Sequence, residues 1–205
     1  TRSQLDFFRR KPCWILSFKE APESASGGVK QLLRFLHQSP ALLERMDRLF
    51  AKWRFDHVIH GDLKWDNCLV FPDAMGNAQA KLIDWELVDV GDAAWDVGGI
   101  LQSYFVYWIG FQRSKQTSID EIVLLDVFLE STQLINALCA FWEAYVDAFN
   151  LVRSDQHIQL LRCIEYAAAR LMLTVYESSW NSDQLSEDSI LMLRLSEMML
   201  MSPES

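Results

Sequence analysis

One short stretch of this chain reads as β structure, and nearly everything around it reads as helix. Cys68-Leu69-Val70-Phe71 has strand composition, Pro72 to Gln79 (PDAMGNAQ) has turn composition, and Ala80 to Ile83 returns as a second strand. A hairpin folds back on itself. The residues before its first strand and after its second therefore end side by side, however far apart they stand in sequence. Upstream, Leu32, Leu33, Leu36, Leu42, Leu43, Met46, Leu49 and Phe50 recur at helical spacing between Val29 and Trp53. Pro40 interrupts them, which predicts two helices. Downstream, one helix is expected from Ala93 to about Gln112. The capping box Ser118-Ile119-Asp120-Glu121 opens a second, to about Phe149. Ser154 is expected to cap a third, to about Glu177, and a last one runs from about Ser186 to Met201. The expected fold class is mainly α with a small central β-hairpin.

Composition narrows the class. Half of the 205 residues are hydrophobic, 23% are charged and the formal net charge is -9. That is globular usage, and a chain of this length buries a sizeable core without covalent staples. The acidic balance speaks against a sequence-independent nucleic-acid binder, which needs a basic face. No apolar run reaches the length of a membrane span; the most apolar stretch, Gly98 to Phe111, is broken by Gln102 and Ser103. Four cysteines (Cys13, Cys68, Cys139, Cys163) show neither C-x-x-C pairing nor metal-finger spacing. They read as reduced, buried thiols, and with no signal peptide the expected location is cytoplasmic. Met192, Met198 and Met199 read as core.

The charge is unevenly spread. Residues 1 to 60 carry eleven basic and six acidic residues; residues 61 to 205 carry eight and 22. Between 62 and 96 eight acids face only Lys64 and Lys81. Clustered carboxylates repel unless a cation or a hydrogen-bond network compensates them. These acids flank the hairpin. Before it stands His60-Gly61-Asp62-Leu63-Lys64-Trp65-Asp66-Asn67; after it come Ile83-Asp84-Trp85-Glu86 and Gly91-Asp92-Ala93-Ala94-Trp95-Asp96. The hairpin sets Asp62 and Asn67 near Asp84. An Asn amide oxygen and a carboxylate are hard oxygen ligands, a pair that suits Mg²⁺. A carboxylate five residues before the Asn is placed to accept a proton from a hydroxyl. Phosphoryl transfer needs this set. Asp66 reads as a solvated loop acid, Glu86 as structural, and Trp65, Trp85 and Trp95 as packing residues. His57 and His60 lie three apart, but no Cys or third His stands nearby to complete a zinc site.

The pattern H-G-D-x-x-x-x-N, I-D-W-E and G-D-x-x-x-D resembles the aminoglycoside phosphotransferase and choline kinase family, which has a protein-kinase-like fold. The resemblance is dense over residues 57 to 96. It implies that Asp62 is the catalytic base, that Asn67 and Asp84 hold Mg²⁺ beside ATP or another NTP, and that His60, Asp92 and Asp96 support the loop. Lys64 stands where Ser/Thr protein kinases, whose loop reads D-L-K-x-x-N, place a Lys on the transferred phosphate. Many small-molecule kinases of the family lack a Lys there.

The same resemblance implies an N-terminal lobe with a sheet, a strand Lys and a helix Glu. The first 60 residues show no such pattern, and no G-x-G-x-x-G occurs. The chain therefore reads as the C-terminal lobe, with the β-rich lobe absent from it but expected in the same protein. Residues 1-28 form a post-hinge segment and linker, and residues 29-205 the helical lobe. Within that lobe the catalytic loop and metal hairpin span 57-96, and acceptor-side helices 97-205. The expected activity is transfer of the γ-phosphate to a hydroxyl of a small molecule such as an aminoglycoside, choline or a sugar. The alternative is a non-catalytic kinase-like binding or scaffold module. No nucleic-acid or membrane partner is expected. Acids on the later helices (Asp120, Glu121, Asp183, Glu187, Asp188) suit a cationic acceptor, and equally suit ordinary solvated faces and caps.

Overall fold

The computed structural model describes residues 23–114 and 131–202. Helix α1 spans Gly27–His37 and α2 spans Pro40–Ala51. Four short strands follow: β1 (His57–Ile59), β2 (Cys68–Pro72), β3 (Ala78–Leu82) and β4 (Asp89–Gly91). The remaining elements are α3 (Ala93–Ser114), α4 (Thr132–Ala148), α5 (Arg153–Ser179) and α6 (Glu187–Met201). The mostly helical architecture with small two-stranded sheets is compatible with a kinase-like C-terminal lobe. Among the described residues, no helix is long and apolar enough to cross a membrane.

The caps explain most helix starts. Ser26 accepts from the Val29 amide at 3.2 Å, and its hydroxyl donates to Ser179 O at 2.6 Å. One side chain thus starts α1 and fastens it to the end of α5. That cap starts α1 at Gly27, two residues before the expected boundary, so Gly27 and Gly28 belong to a helix and not to a linker. Ser39 precedes Pro40, whose missing N–H costs nothing at a first helical position. Ser186 caps α6 through the Ser189 amide. Ser154 does not cap α5. The cap position is Val152, and the Ser154 hydroxyl turns to Asp155 at 3.0 Å inside the first turn. The Ser118 capping box lies outside the described residues.

The central hairpin forms as expected, with Cys68 opposite Leu82 and Pro72 opposite Ala78. Asp73 closes its turn by accepting the amides of Met75 and Asn77, both at 2.8 Å. A second antiparallel pair encloses it: β1 and β4 match His57 with Gly91 and Ile59 with Asp89. Three-residue strands are too short to show alternation, so this pair left no periodic trace in the sequence. The two nested pairs bring the segment 60–67 against 83–88.

Helix α5 is the hub of the core. Cys163, Tyr166, Ala167, Ala168, Leu171, Met172 and Val175 on it are fully buried. Helix α6 is tied to it by Ser196 Oγ, which donates to Ala168 O at 2.6 Å. Trp53, just past α2, packs edge-on against Trp95 and Tyr166. Burial corrects two expectations. Cys139 is exposed, because α4 turns it outward; Cys163 is buried, and Cys13 lies outside the described residues. Met199 is core, but Met198 is exposed, since neighbours on a helix point about 100° apart.

Candidate functional site

The loop between β1 and β2 is held from several directions. His60 is buried, and its Nε2 lies 2.7 Å from Ile83 O, while the Asp62 amide approaches Nδ1 at 3.4 Å. One ring nitrogen must donate and the other accept, so the neutral Nε2–H tautomer satisfies both contacts. The ring also packs on Trp85, 4.6 Å between centroids. Gly61 has φ of +85°, and a Cβ there would collide with Leu87 O, so only glycine fits this turn. Asp96, in the first turn of α3, accepts the amides of His60 at 2.6 Å and Gly61 at 3.1 Å. Burial raises its pKa, outweighing those amides, which lower it.

Asp62 sits at the centre. Its Oδ2 pairs with Lys64 Nζ at 2.7 Å and its Oδ1 with Arg170 at 3.2 Å. Asn67 is buried and donates from Nδ2 to Asp62 O at 2.8 Å and to Asp62 Oδ2 at 3.4 Å. A flipped amide would set oxygen against oxygen, so the network orients it, and the carbonyl oxygen is the group left for another partner. The Ile83 amide donates to Asn67 O at 3.0 Å, which places Asp84 one residue beyond that tie. Asp84 is exposed and stands in the left-handed region, φ 62° and ψ 57°. A non-glycine residue there costs about 1–3 kcal/mol and persists only where its surroundings impose it. Here the β3 ladder precedes it, and Trp85 follows, bonded through Nε1 to Leu82 O at 3.1 Å.

Among the described residues, no group of three or more His, Cys, Asp or Glu side chains could hold a metal. An Asn amide oxygen and an Asp carboxylate are oxygen donors of the kind that would suit Mg²⁺, which keeps water and substrate phosphate oxygens as its other ligands.

The remaining predicted residues divide their work. Asp96 braces the loop, whereas Asp92 faces the other way. Buried Asp92 pairs with Arg162, accepts the amides of Arg54 and Ala94, and bonds Tyr166 Oη at 3.3 Å. It pins the connection between α2 and β1 onto α5 and does not touch the loop. Lys64 has a raised pKa: partial burial would lower it, but the hydrogen bond and charge of Asp62 outweigh that.

A cavity of about 340 Å³ opens beside Lys64. Trp65, Tyr107 and Val106 form its apolar wall; Gln102, Ser103, Thr174, Asp66 and Glu177 supply polar groups. Trp65 packs on Tyr104 and Tyr107, 4.6 and 5.3 Å between centroids, and its amide donates to Ser103 Oγ at 3.2 Å. Glu177 has a raised pKa, through desolvation first and with Lys64 pulling the other way. Asp183, Glu187 and Asp188 do not line this cavity, and Asp120 and Glu121 lie outside the described residues.

Sequence reasoning missed Arg162, Arg170 and Glu177, all on α5. The signal was there for one of them. Arg170 interrupts the apolar run Ala167-Ala168-Ala169-Arg170-Leu171-Met172, and a charge in such a setting needs a partner. Arg170, Thr174 and Glu177 also share the i, i+4, i+7 spacing of one helical face.

No curated protein matches the chain. The profile of the Phosphotransferase enzyme family matches residues 7–121, more than half of the sequence and the whole of the loop-and-hairpin site. With the H-G-D-x-x-x-x-N loop folded against the strand pair, that match shows that the chain belongs to the Phosphotransferase enzyme family, in keeping with its aminoglycoside phosphotransferase and choline kinase pattern.

Proposed function

We propose that this protein moves the γ-phosphoryl group of ATP, or of another nucleoside triphosphate, to a hydroxyl of a small molecule. The observation that carries the reading is the Asp62–Asn67 pair, in which Asn67 Nδ2 donates to the Asp62 backbone carbonyl at 2.8 Å while the Asp62 carboxylate pairs with Lys64, which lines a cavity of about 340 Å³. Asp62 takes the acceptor hydroxyl as hydrogen-bond donor and receives its proton as the oxygen attacks phosphorus. Lys64 holds Oδ2 of Asp62 until the acceptor competes for it. It stays cationic, so it can offset phosphate charge once released. Asn67 and Asp84 would hold Mg²⁺, which would supply positive charge to offset that of the phosphate oxygens. An N-terminal lobe of the same protein completes the nucleotide site. The acceptor lies in the cavity, with an apolar part against Trp65 and Tyr107 and polar groups toward Gln102, Ser103 and Glu177.

The test is ADP release by the full-length protein with Mg·ATP and a panel of amino sugars, amino alcohols, neutral sugars and hydroxy amino acids. One class should accelerate release. Asp62→Asn should lower kcat by at least about 100-fold, the range of a general base, with little change in melting temperature. A fully active Asp62→Asn protein would overturn the assignment.

A further inference from the structure

Most of the groups that hold Gly61, Asp62 and Leu63 come from nearby in the chain. One does not. Arg170 of α5 stands more than a hundred positions later, yet its guanidinium donates to three consecutive loop residues. The acceptors are Gly61 O at 3.4 Å, Asp62 Oδ1 at 3.2 Å and Leu63 O at 3.1 Å. Its side chain is 4% exposed, against 37% for Lys64, the other cation on Asp62.

The guanidinium is held on its faces as well as at its edges. It lies 4.8 Å from the Trp95 ring centroid, and Trp95 Nε1 itself donates to Gly61 O at 2.7 Å. Gly99 of α3 allows the approach, since a Cβ there would strike both Leu63 O and the guanidinium. A planar fork in such a mould has little freedom left, whereas a lysine ammonium on a flexible stem bonds without fixing direction.

We infer that Arg170 is the positioning residue for Asp62. It fixes Oδ1 and the carbonyls on either side, so that Oδ2, the oxygen shared with the cavity-lining Lys64, meets the acceptor hydroxyl in one orientation. The inference rests on the phosphotransfer reading of Asp62 given above. Residue 170 lies beyond the stretch that matches the family profile, which ends at 121. The loop thus draws one of its ties from a helix outside the matched stretch. A displacement of about 1 Å at a reacting group is enough to cost on the order of 100-fold in rate.

The experiment is a double-variant cycle on the full-length protein. ADP release from Mg·ATP is followed with the most active acceptor of the panel, or with water where hydrolysis is the turnover observed. Arg170→Gln should lower kcat by about 10- to 100-fold while the acceptor KM changes by less than about threefold. Arg170→Lys should recover part of that loss. In an Asp62→Asn background, Arg170→Gln should change kcat by less than about threefold, because the group it acts through is already gone. An equal fold-loss in both backgrounds would mean a merely structural arginine and would overturn the inference. So would wild-type kcat in Arg170→Gln alongside an inactive Asp62→Asn. Wild-type kcat in Asp62→Asn would instead sink the phosphotransfer reading, and this inference with it. If Arg170→Gln does not fold, Arg170→Lys keeps the charge and the buried methylenes and carries the same cycle, with kcat loss in the Asp62 background alone as the expected result.

Discussion

Asp96 does two things that oppose each other. It must accept the His60 and Gly61 amides to shape the loop, and it must do so where burial penalises its charge. Burial wins, so the folded protein binds the Asp96 proton more tightly than the unfolded chain does. The sign of the consequence is fixed. In the window above the ordinary value of 3.8 the folded state holds more protons, so the stability attached to Asp96 falls as pH rises through its raised pKa. Urea unfolding from pH 3.8 upward should therefore show wild type losing stability faster than Asp96→Asn; parallel curves would contradict it. Residue type and spacing single out Asp84, Asn67 and Asp62 as candidates. That Arg170 needs a partner was legible from its apolar setting, but not which partner, because that is set by a contact more than a hundred residues away. Asp92 carries a similar lesson. Its place in the G-D-x-x-x-D motif suggested a brace on the loop, and its neighbours in space made it a lock between α2, β1 and α5.

Helix α3 reaches the loop through a gap made by Gly99, which sits against Leu63 O and Arg170. Gly99→Ala should thus push the loop and the guanidinium apart, at a cost of about 1–3 kcal/mol, the usual penalty of overpacking. Thermal unfolding would check it. Unchanged stability with unchanged kcat would show that the gap is wider than the structure has it. Among the elements, most helices with long apolar periodicity were legible to within a few residues; the stretch expected as one helix from Ser118 to Phe149 instead has a helix starting at Thr132, with Ser131 at its N-cap. The strand pair β1–β4 was not, since three residues carry no pattern. The hairpin β2–β3 was found from its turn chemistry and not from burial. Val70 and Phe71 on it are exposed, so no alternation of buried and exposed faces marks it.

Helix α5 joins the whole protein together. It packs against α1, α3 and α6, carries Arg170 and Glu177 toward the site, and holds Asp92 through Arg162. Removing a fully buried side chain from it should weaken every layer at once. Leu171→Ala should cost about 2–5 kcal/mol by the loss of transfer energy plus the cavity left behind. Denaturant unfolding followed both by helix signal and by Trp fluorescence should report one shared, lowered midpoint; a change in only one signal would show that α5 does not unite the core. From local chemistry alone, the chain determined most of its helices, its central hairpin and the spacing that singles out Asp62, Asn67 and Asp84 as candidates, because periodicity, turn residues and motif spacing act over a few residues. Tertiary structure alone decided that Asp96 holds the loop while Asp92 does not, that a cavity opens between Lys64 and Glu177, and that a distant arginine pairs with Asp62. Each of these depends on which helix faces which loop, and that is set by the joint burial of α3, α5 and α6 and by no single segment.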